Sequence, residues 1–285
     1  MKSITAALLF LFCAHAIAQK NESASVLGSD YKRHLSSSIL LWMRTDIPRD
    51  ESMSRWKGPH AQIISANKGL LEYRILHFSK TNTGMWPFTP GVETNIPQAR
   101  KIDGLADVTL KGYSSLLRGK KQNKLAFKDE VNLFQRSILY AAFPKNSRWY
   151  NLNKTNQPID ARSMIFFQMK NGAELAEFQK FIFEELAPNL ASTGVLLELR
   201  CKNYSPWKES QWKSPNVLHD NPMNAQYQAS IIIGTADQLS LDNFFQSGVL
   251  QNHATRIAEF CRAVHAYQIE ETILFVSNGQ SIQQP

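Results

Sequence analysis

Shifted against itself by 126 residues, the chain falls into register: ILLWMR (39–44) lands on IFFQMK (165–170), and LLEYR (70–74) lands on LLELR (196–200). Between these pairs each copy carries a segment of helical period, SRWKGPHAQIISANKG in the first and AELAEFQKFIFEELAPNLASTG in the second. An offset held without a gap across strand, helix and strand marks a duplicated unit. The remainder follows the same order more loosely. A long loop comes next (79–103 and 203–226), then a strand (GLADVTL and YQASIIIG) and a helical region. An apolar strand closes each copy, SILYAAF (137–143) and ETILFVS (271–277). Each copy therefore reads β-α-β-β-α-β.

Such a unit lays both helices on one face of an antiparallel sheet and leaves the other face bare. In the first strand Ile39, Leu41 and Met43 alternate with Leu40, Trp42 and Arg44, so the sheet is apolar on both sides. Two units in one chain bury both sides by packing sheet against sheet and closing toward a barrel with the helices outside. The expected fold class is α+β: two tandem units whose antiparallel sheets form one intramolecular barrel. The divisions read from this pattern are a first unit at 38–150, a linker at 151–161, a second unit at 162–279 and a tail at 280–285.

Residues 1–18 read differently. An early Lys2, an apolar run from Ala6 to Phe12 and a small-x-small end at Ala16-Ile17-Ala18 read as a secretory signal cleaved near Ala18, followed by an extension at 19–37. The run is too short to span a bilayer, and no later stretch is long or charge-free enough to do so. The expected location is periplasmic or secreted. Of the cysteines beyond the leader, Cys201 falls on the alternation Val195, Leu197, Leu199, and Cys261 on the helical stripe Ile257, Phe260, Val264. Both point inward; an exported compartment permits a bridge between them, and two separately buried thiols are the preferred reading. The net charge of +8 is spread along the chain. Its densest run, RGKKQNK (118–124), lacks interleaved aromatics and reads as a solvated loop, which argues against a nucleic-acid partner.

Trp56, His60, Ile63, Ile64 and Asn67 share one helix face by their spacing, so His60 points at the sheet. Leu71, Tyr73, Ile75 and His77 share a strand face by period two, and the alternation does not say which layer that face meets. A His on an apolar face is either a general acid or base or a satisfied core residue. The second copy carries Leu186 where the first has His60, so the scaffold itself does not require the imidazole. Asp107 shares a strand face with Leu105 and Thr109, where it either pairs with Arg44 or Arg74 or works with His60. Tyr73 and Tyr113 offer phenol groups. No HxH, HExxH or CxxC spacing supports a metal, and no phosphate loop or nucleophile elbow is present. The long loops, with Trp86 in one and Trp207 and Trp212 in the other, read equally as lids over a cleft or as arms wrapping the opposite unit.

The layout resembles the dimeric α+β barrel superfamily, with two ferredoxin-like units fused. Within it the first unit resembles the EthD family. The matching residues are Trp56 and His60 in W-x-x-x-H-A, the Tyr73 strand, the run Ile102-Asp103-Gly104-Leu105-Ala106-Asp107, and Asp129-Glu130-Val131-Asn132-Leu133-Phe134. The second unit lacks these motifs, with Leu186 for His60 and Asn203 for His77. The resemblance implies oxidoreductase or lyase chemistry without a cofactor on a small hydrophobic or aromatic molecule. His60 would be the base, Tyr73 a donor to the developing oxyanion and His77 a neighbour in catalysis, with Trp42, Trp56, Trp86, Asp107 and Tyr113 contacting substrate. Haem held through a His, as in some barrels of the superfamily, is the cofactor alternative. A binding protein for a lipid, pigment or haem and a purely structural module are the competing functions. The expected assembly is a monomeric pseudo-dimer or a higher homo-oligomer.

Overall fold

Period-two segments form strands and segments of helical period form helices in the computed structural model, which describes residues 30–283. Residues 1–18, on which the expectation of a secretory signal falls, lie with Cys13 outside the described residues. A short β1 (Tyr31–Lys32) precedes the strands of the first unit, β2 (Leu35–Met43), β3 (Leu70–Phe78), β4 (Gly104–Leu110) and β5 (Phe134–Ala142). After β6 (Ser147–Tyr150), the second unit supplies β7 (Ala161–Met169), β8 (Glu198–Asn203), β9 (Ala229–Thr235) and β10 (Cys261–Ser277), and β11 (Gln280–Ser281) follows. The strand order is β3-β4-β2-β5 in one unit and β8-β9-β7-β10 in the other. This is the same ferredoxin-like order twice, as the repeat predicts. Helical segments within 49–65 and 115–130 pack on the first sheet, and those within 175–191 and 238–260 on the second.

The last strand of each unit crosses onto the other unit and seals the barrel. β10 pairs with β7 over Cys261 to Ile269, then with β3 from Ile269↔Phe78 to Val276↔Tyr73. On the opposite seam β5 pairs with β2, the Ser205 N–H donates to the Ala141 carbonyl at 2.9 Å, and β6 continues antiparallel to β8. The helical stripe read through Cys261 and Val264 is corrected here: the helix ends at Phe260 and CRAVHAY is strand. Residues 263–269 are apolar on both sides, which fits a buried helix or a doubly covered strand equally, and pairing with β7 decides for strand. The basic run at 118–124 is corrected too, because Lys120–Glu130 is a helix whose lysines face solvent.

Cys201 and Cys261 are free and buried. They stand on β8 and β10, with β9 and β7 between them, so three interstrand spacings of about 4.8 Å separate them, beyond the reach of a bridge. The bridge candidate is therefore set aside, and the preferred reading of two separately buried thiols is the one the structure has. Burial pushes both thiols well above their usual range. The native protein is expected to leave both unlabelled by a thiol reagent over hours, with reaction only after denaturation. Labelling at native temperature and neutral pH is the measurement.

Both long loops are arms. Trp86 lies in the core of the second unit, edge-on to Phe167 at 5.9 Å, and Glu93 bonds both ways with β10. Trp212 lies against the first unit, edge-on to Phe127 at 4.6 Å. The two tryptophans are themselves 126 residues apart. Each unit thus seats one aromatic in the other, and the arms also cross one mouth of the barrel, where Pro97, Arg100, Asn221 and Ala225 border a cavity of about 80 Å³.

The barrel interior is divided along its length. Leu40, Leu76, Leu105, Phe166, Ile232 and Tyr267 fill the middle. Toward one end the same inward-facing positions turn charged: Glu72 and Arg74 on β3, Asp107 on β4, Arg162 on β7, and Glu198, Arg200 and Lys202 on β8. Arg74 donates to Asp107 at 3.1 Å and to Glu198 at 2.6 Å, while Arg200 pairs with Glu72 and Lys202 with Asp107. These charges persist in a closed interior because each has an opposite partner.

Candidate functional site

Trp56 and His60 sit on a helix that departs from regular geometry. Pro59 removes a backbone donor, Gly58 leaves helical dihedrals at φ −101° and ψ −109°, and Trp56–His60 forms a wide turn. The second unit has a similar wide turn at Phe181–Leu186, so the distortion belongs to the scaffold. What differs is the side chains it presents. At positions 126 residues on from Trp56, His60, Tyr73 and His77 stand Ile182, Leu186, Leu199 and Asn203.

In the first unit these four side chains occupy one layer, between the helices and the outer face of the sheet. His60 is 2% exposed, its Nδ1 lies 3.0 Å from Asp129 Oδ2, and its ring stands edge-on to Phe134 at 5.6 Å. Asp129 also accepts from Arg55 at 2.6 Å and from Asn132 at 3.1 Å. The hydrogen bond from His60, aided by Arg55 and Asn132, holds its carboxyl well below the usual range despite partial burial. The carboxylate thus fixes the orientation of the imidazole, as an orienting group does for a base.

Trp56 joins this pair to His77, with ring centroids 4.9 Å apart. His77 Nδ1 lies 2.8 Å from Glu271 Oε2, on the neighbouring β10. Burial lowers the His77 pKa, with Glu271 opposing. Burial also drives the Tyr73 phenol upward, and the adjacent Trp56 indole eases that shift. His77 Nε2 is buried without a hydrogen-bond partner, and Trp56 Nε1 and Tyr73 Oη have only each other. An imidazole nitrogen left unpaired beside the indole is uncommon in a layer serving packing alone, where buried polar groups are normally paired.

Gly104 explains how the indole fits. A Cβ there would stand 2.6 Å from Trp56 Cζ3 and 2.7 Å from the Leu76 carbonyl oxygen. Gly104→Ala is expected to destabilise the protein by about 1–3 kcal/mol, read as a fall in the urea midpoint without a change in slope.

The other expected site residues lie elsewhere. Trp42 points into the barrel and borders the small cavity, far along the lumen from Asp107. Asp107 pairs with Arg74 and Lys202, while Arg44 goes to Asp46. The pairing expectation holds through Arg74, and Asp107 is on the opposite face of the sheet from His60. Tyr113 is 54% exposed, stacks on Phe143 at 6.4 Å, and takes no part in the layer. Trp86 is packed into the second unit and makes no contact here.

Two carboxylates the sequence did not single out complete the arrangement. Asp129 lies within the motif run at 129–134, but its pairing with His60 joins residues 69 apart, and Glu271 is 194 from His77. Beside them Glu130, 1% exposed, accepts from Trp212 Nε1 at 3.1 Å, Ser137 Oγ at 3.0 Å and Ser214 Oγ, and burial raises its pKa. This anchors the second arm next to the imidazole. Among the described residues no group of three or more His, Cys, Asp or Glu is placed to hold a metal ion, and no helix is long and apolar enough to cross a membrane.

No known family profile matches the chain, and no curated protein matches it. Solved structures do. A provisionally named monooxygenase from Fusobacterium nucleatum aligns at TM-score 0.56 with 8% identity, over 89% of this chain and 99% of that one. An anthrone oxidase-like protein aligns at TM-score 0.53 with 9% identity, over 85% and 93%. A provisionally named monooxygenase from Lactobacillus acidophilus aligns at TM-score 0.50 with 10% identity, over 88% and 98%. At such identities the shared feature is the fold, an α+β barrel spanning nearly the whole of each chain.

Proposed function

We propose that this is an exported enzyme of the EthD-like type that acts on a small hydrophobic or aromatic molecule by general acid–base chemistry in the helix–sheet layer of the first unit. The observation that carries the reading is the buried His60–Asp129 pair beside the unpartnered His77 Nε2, in a layer where the second unit has Ile182, Leu186 and Leu199 and keeps only Asn203 as a polar counterpart. The oxidase and oxygenase names of the structural neighbours favour an oxidation. His60, oriented by Asp129, takes a proton from an activated carbon. Tyr73 donates a hydrogen bond to the oxygen on which charge develops, and Trp56 and Phe134 hold the ring system. For an activated aromatic methylene the carbanion then gives its electrons to molecular oxygen, producing a carbonyl and one water.

Haem does not suit these residues. The cavities of about 260 and 80 Å³ fall below the ~300–1,000 Å³ of pockets for drug-sized ligands. Neither is lined by His60 or His77; His265, with an unpartnered Nε2, lines the smaller one, whose 80 Å³ has no room for a macrocycle. A structural reading has one observation in its favour, that both imidazoles have carboxylate partners in a closed layer.

Anthrone serves as the first probe, with oxygen uptake and quinone absorbance as readouts. Conversion by the wild type and its loss in His60→Leu supports the enzyme. A small molecule that survives purification, depends on His60 and is never converted points to binding instead. Equal oxygen uptake by the two proteins removes His60 from the chemistry.

A further inference from the structure

At the charged end of the barrel, on the opposite side of the sheet from His60, lies a cavity of about 260 Å³. Its charged lining consists of Glu72, Glu198, Arg74, Arg162 and Arg200, a surplus of one positive charge. Every oxygen of the acidic groups is engaged. Glu72 accepts twice from Arg200, and Glu198 accepts from Arg74 at 2.6 Å and from Arg162 at 2.7 Å, with Arg200 Nε at 2.9 Å. The donors are not. Arg74, 3% exposed, commits Nε to Asp107 and Nη1 to Glu198, while its Nη2 has no partner. Trp149, on which the Arg200 guanidinium stacks at 3.8 Å, likewise has a buried Nε1 without an acceptor.

Engaged acceptors and spare donors select an acceptor, and a site with net positive charge selects an anion over a neutral amide or an amine. The rest of the wall is apolar, with Leu152, Ile159 and Leu197. The volume lies below that of pockets for drug-sized ligands, ~300–1,000 Å³. We infer that this barrel end is a binding site for a small organic monocarboxylate, its carboxylate directed at Arg74 and Trp149 and its hydrocarbon body against Leu152, Ile159 and Leu197. The pseudo-symmetric Glu-x-Arg pairs, Glu72 with Arg74 and Glu198 with Arg200, build the site by crossing the barrel, so it exists only because the two units face each other. It is independent of the chemistry assigned to His60.

The test is titration of the full chain with benzoate and with its neutral isostere benzamide, followed by calorimetry and by the Trp149 indole ¹H–¹⁵N signal. The expected result is saturable benzoate binding that moves the Trp149 signal, with benzamide at least tenfold weaker. Ile159→Trp, which fills the cavity while keeping the Ile159 backbone carbonyl that accepts from Arg162, is expected to weaken benzoate at least tenfold with its melting temperature retained. Arg74→Met is the second variant, expected to abolish the preference for benzoate over benzamide. Equal affinity for the two ligands, undiminished binding in Ile159→Trp, an unmoved Trp149 signal, or no saturation below about 10 mM, where binding is worth only ~3 kcal/mol, would each overturn the inference.

Discussion

Replacing His60 by Leu, the residue of the second unit at the matching position, is expected to lower turnover by about 10²–10⁴-fold, the range a positioned acid or base contributes. The fold should survive, because the neighbours need little repair. Asp129 keeps Arg55 at 2.6 Å and Asn132 at 3.1 Å, so the substitution leaves no isolated buried carboxylate. The loss is one hydrogen bond to a charged group, about 1.5–3 kcal/mol, partly offset by a better match to the apolar surroundings. Asp129→Asn keeps the size of the group but removes the charge that orients and stabilises the imidazolium. A smaller fall in kcat with KM unchanged is expected, where a merely structural role would leave kcat in place. Unchanged kcat/KM in His60→Leu would sink the assignment.

The second large effect lies inside the barrel. Asp107→Leu alone is expected to destabilise the protein by about 3–5 kcal/mol, since it leaves Lys202 as an uncompensated charge in the lumen, and Lys202→Met by less, since Asp107 keeps Arg74. Both side chains are 1% exposed, so solvent cannot take over the lost partner. The double variant is expected to recover most of the loss, because two apolar side chains of similar length need no pairing; Arg74 then retains Glu198. Denaturant unfolding of the four proteins gives the cycle.

The pH dependence follows from the carboxyls. Asp107 is held below the usual carboxylate range by Lys202 and Arg74, which together outweigh burial, and Glu198 is held below it by Arg74, Arg200 and Arg162 against the same penalty. A depressed folded value means that these groups add stability fully above the unfolded pKa, about 3.9–4.3, and lose it as the pH falls through the folded values. Wild-type stability should therefore drop below about pH 4. The double variant, without Asp107, should drop less steeply. Glu130 works the other way: its folded value is raised, so its contribution is largest in acid and is lost as the pH rises through that value.

Local pattern carried some parts of the site and not others. The direction of His60 followed from its spacing with Trp56, because a helix face is a local property. The face of His77 did not, since period two puts a side chain on one of two faces without naming the layer each meets. The partners Asp129 and Glu271 were hidden by long separations. The Glu-x-Arg pairs stood inside the segments that revealed the repeat, LLEYR and LLELR, and the shared offset was their signal. A two-fold repeat in which units face each other brings the Glu of one copy to the Arg of the other. Trp86 and Trp212 carried the same signal through their spacing of 126 residues.

The sequence by itself determined two copies of one β-α-β-β-α-β unit, sheets apolar on both faces and hence a closed barrel with helices outside. These follow from periodicity and from the need to bury both faces, which are short-range and additive. Only the tertiary structure decided that β10 continues as strand through Cys261, that the arms exchange tryptophans, and that the imidazoles and the lumenal charges occupy opposite faces of one sheet. Those outcomes depend on which distant groups meet, and burial makes such meetings decisive: an indole, a carboxylate or a guanidinium in a closed interior is stable only where the opposite chain segment supplies its counterpart.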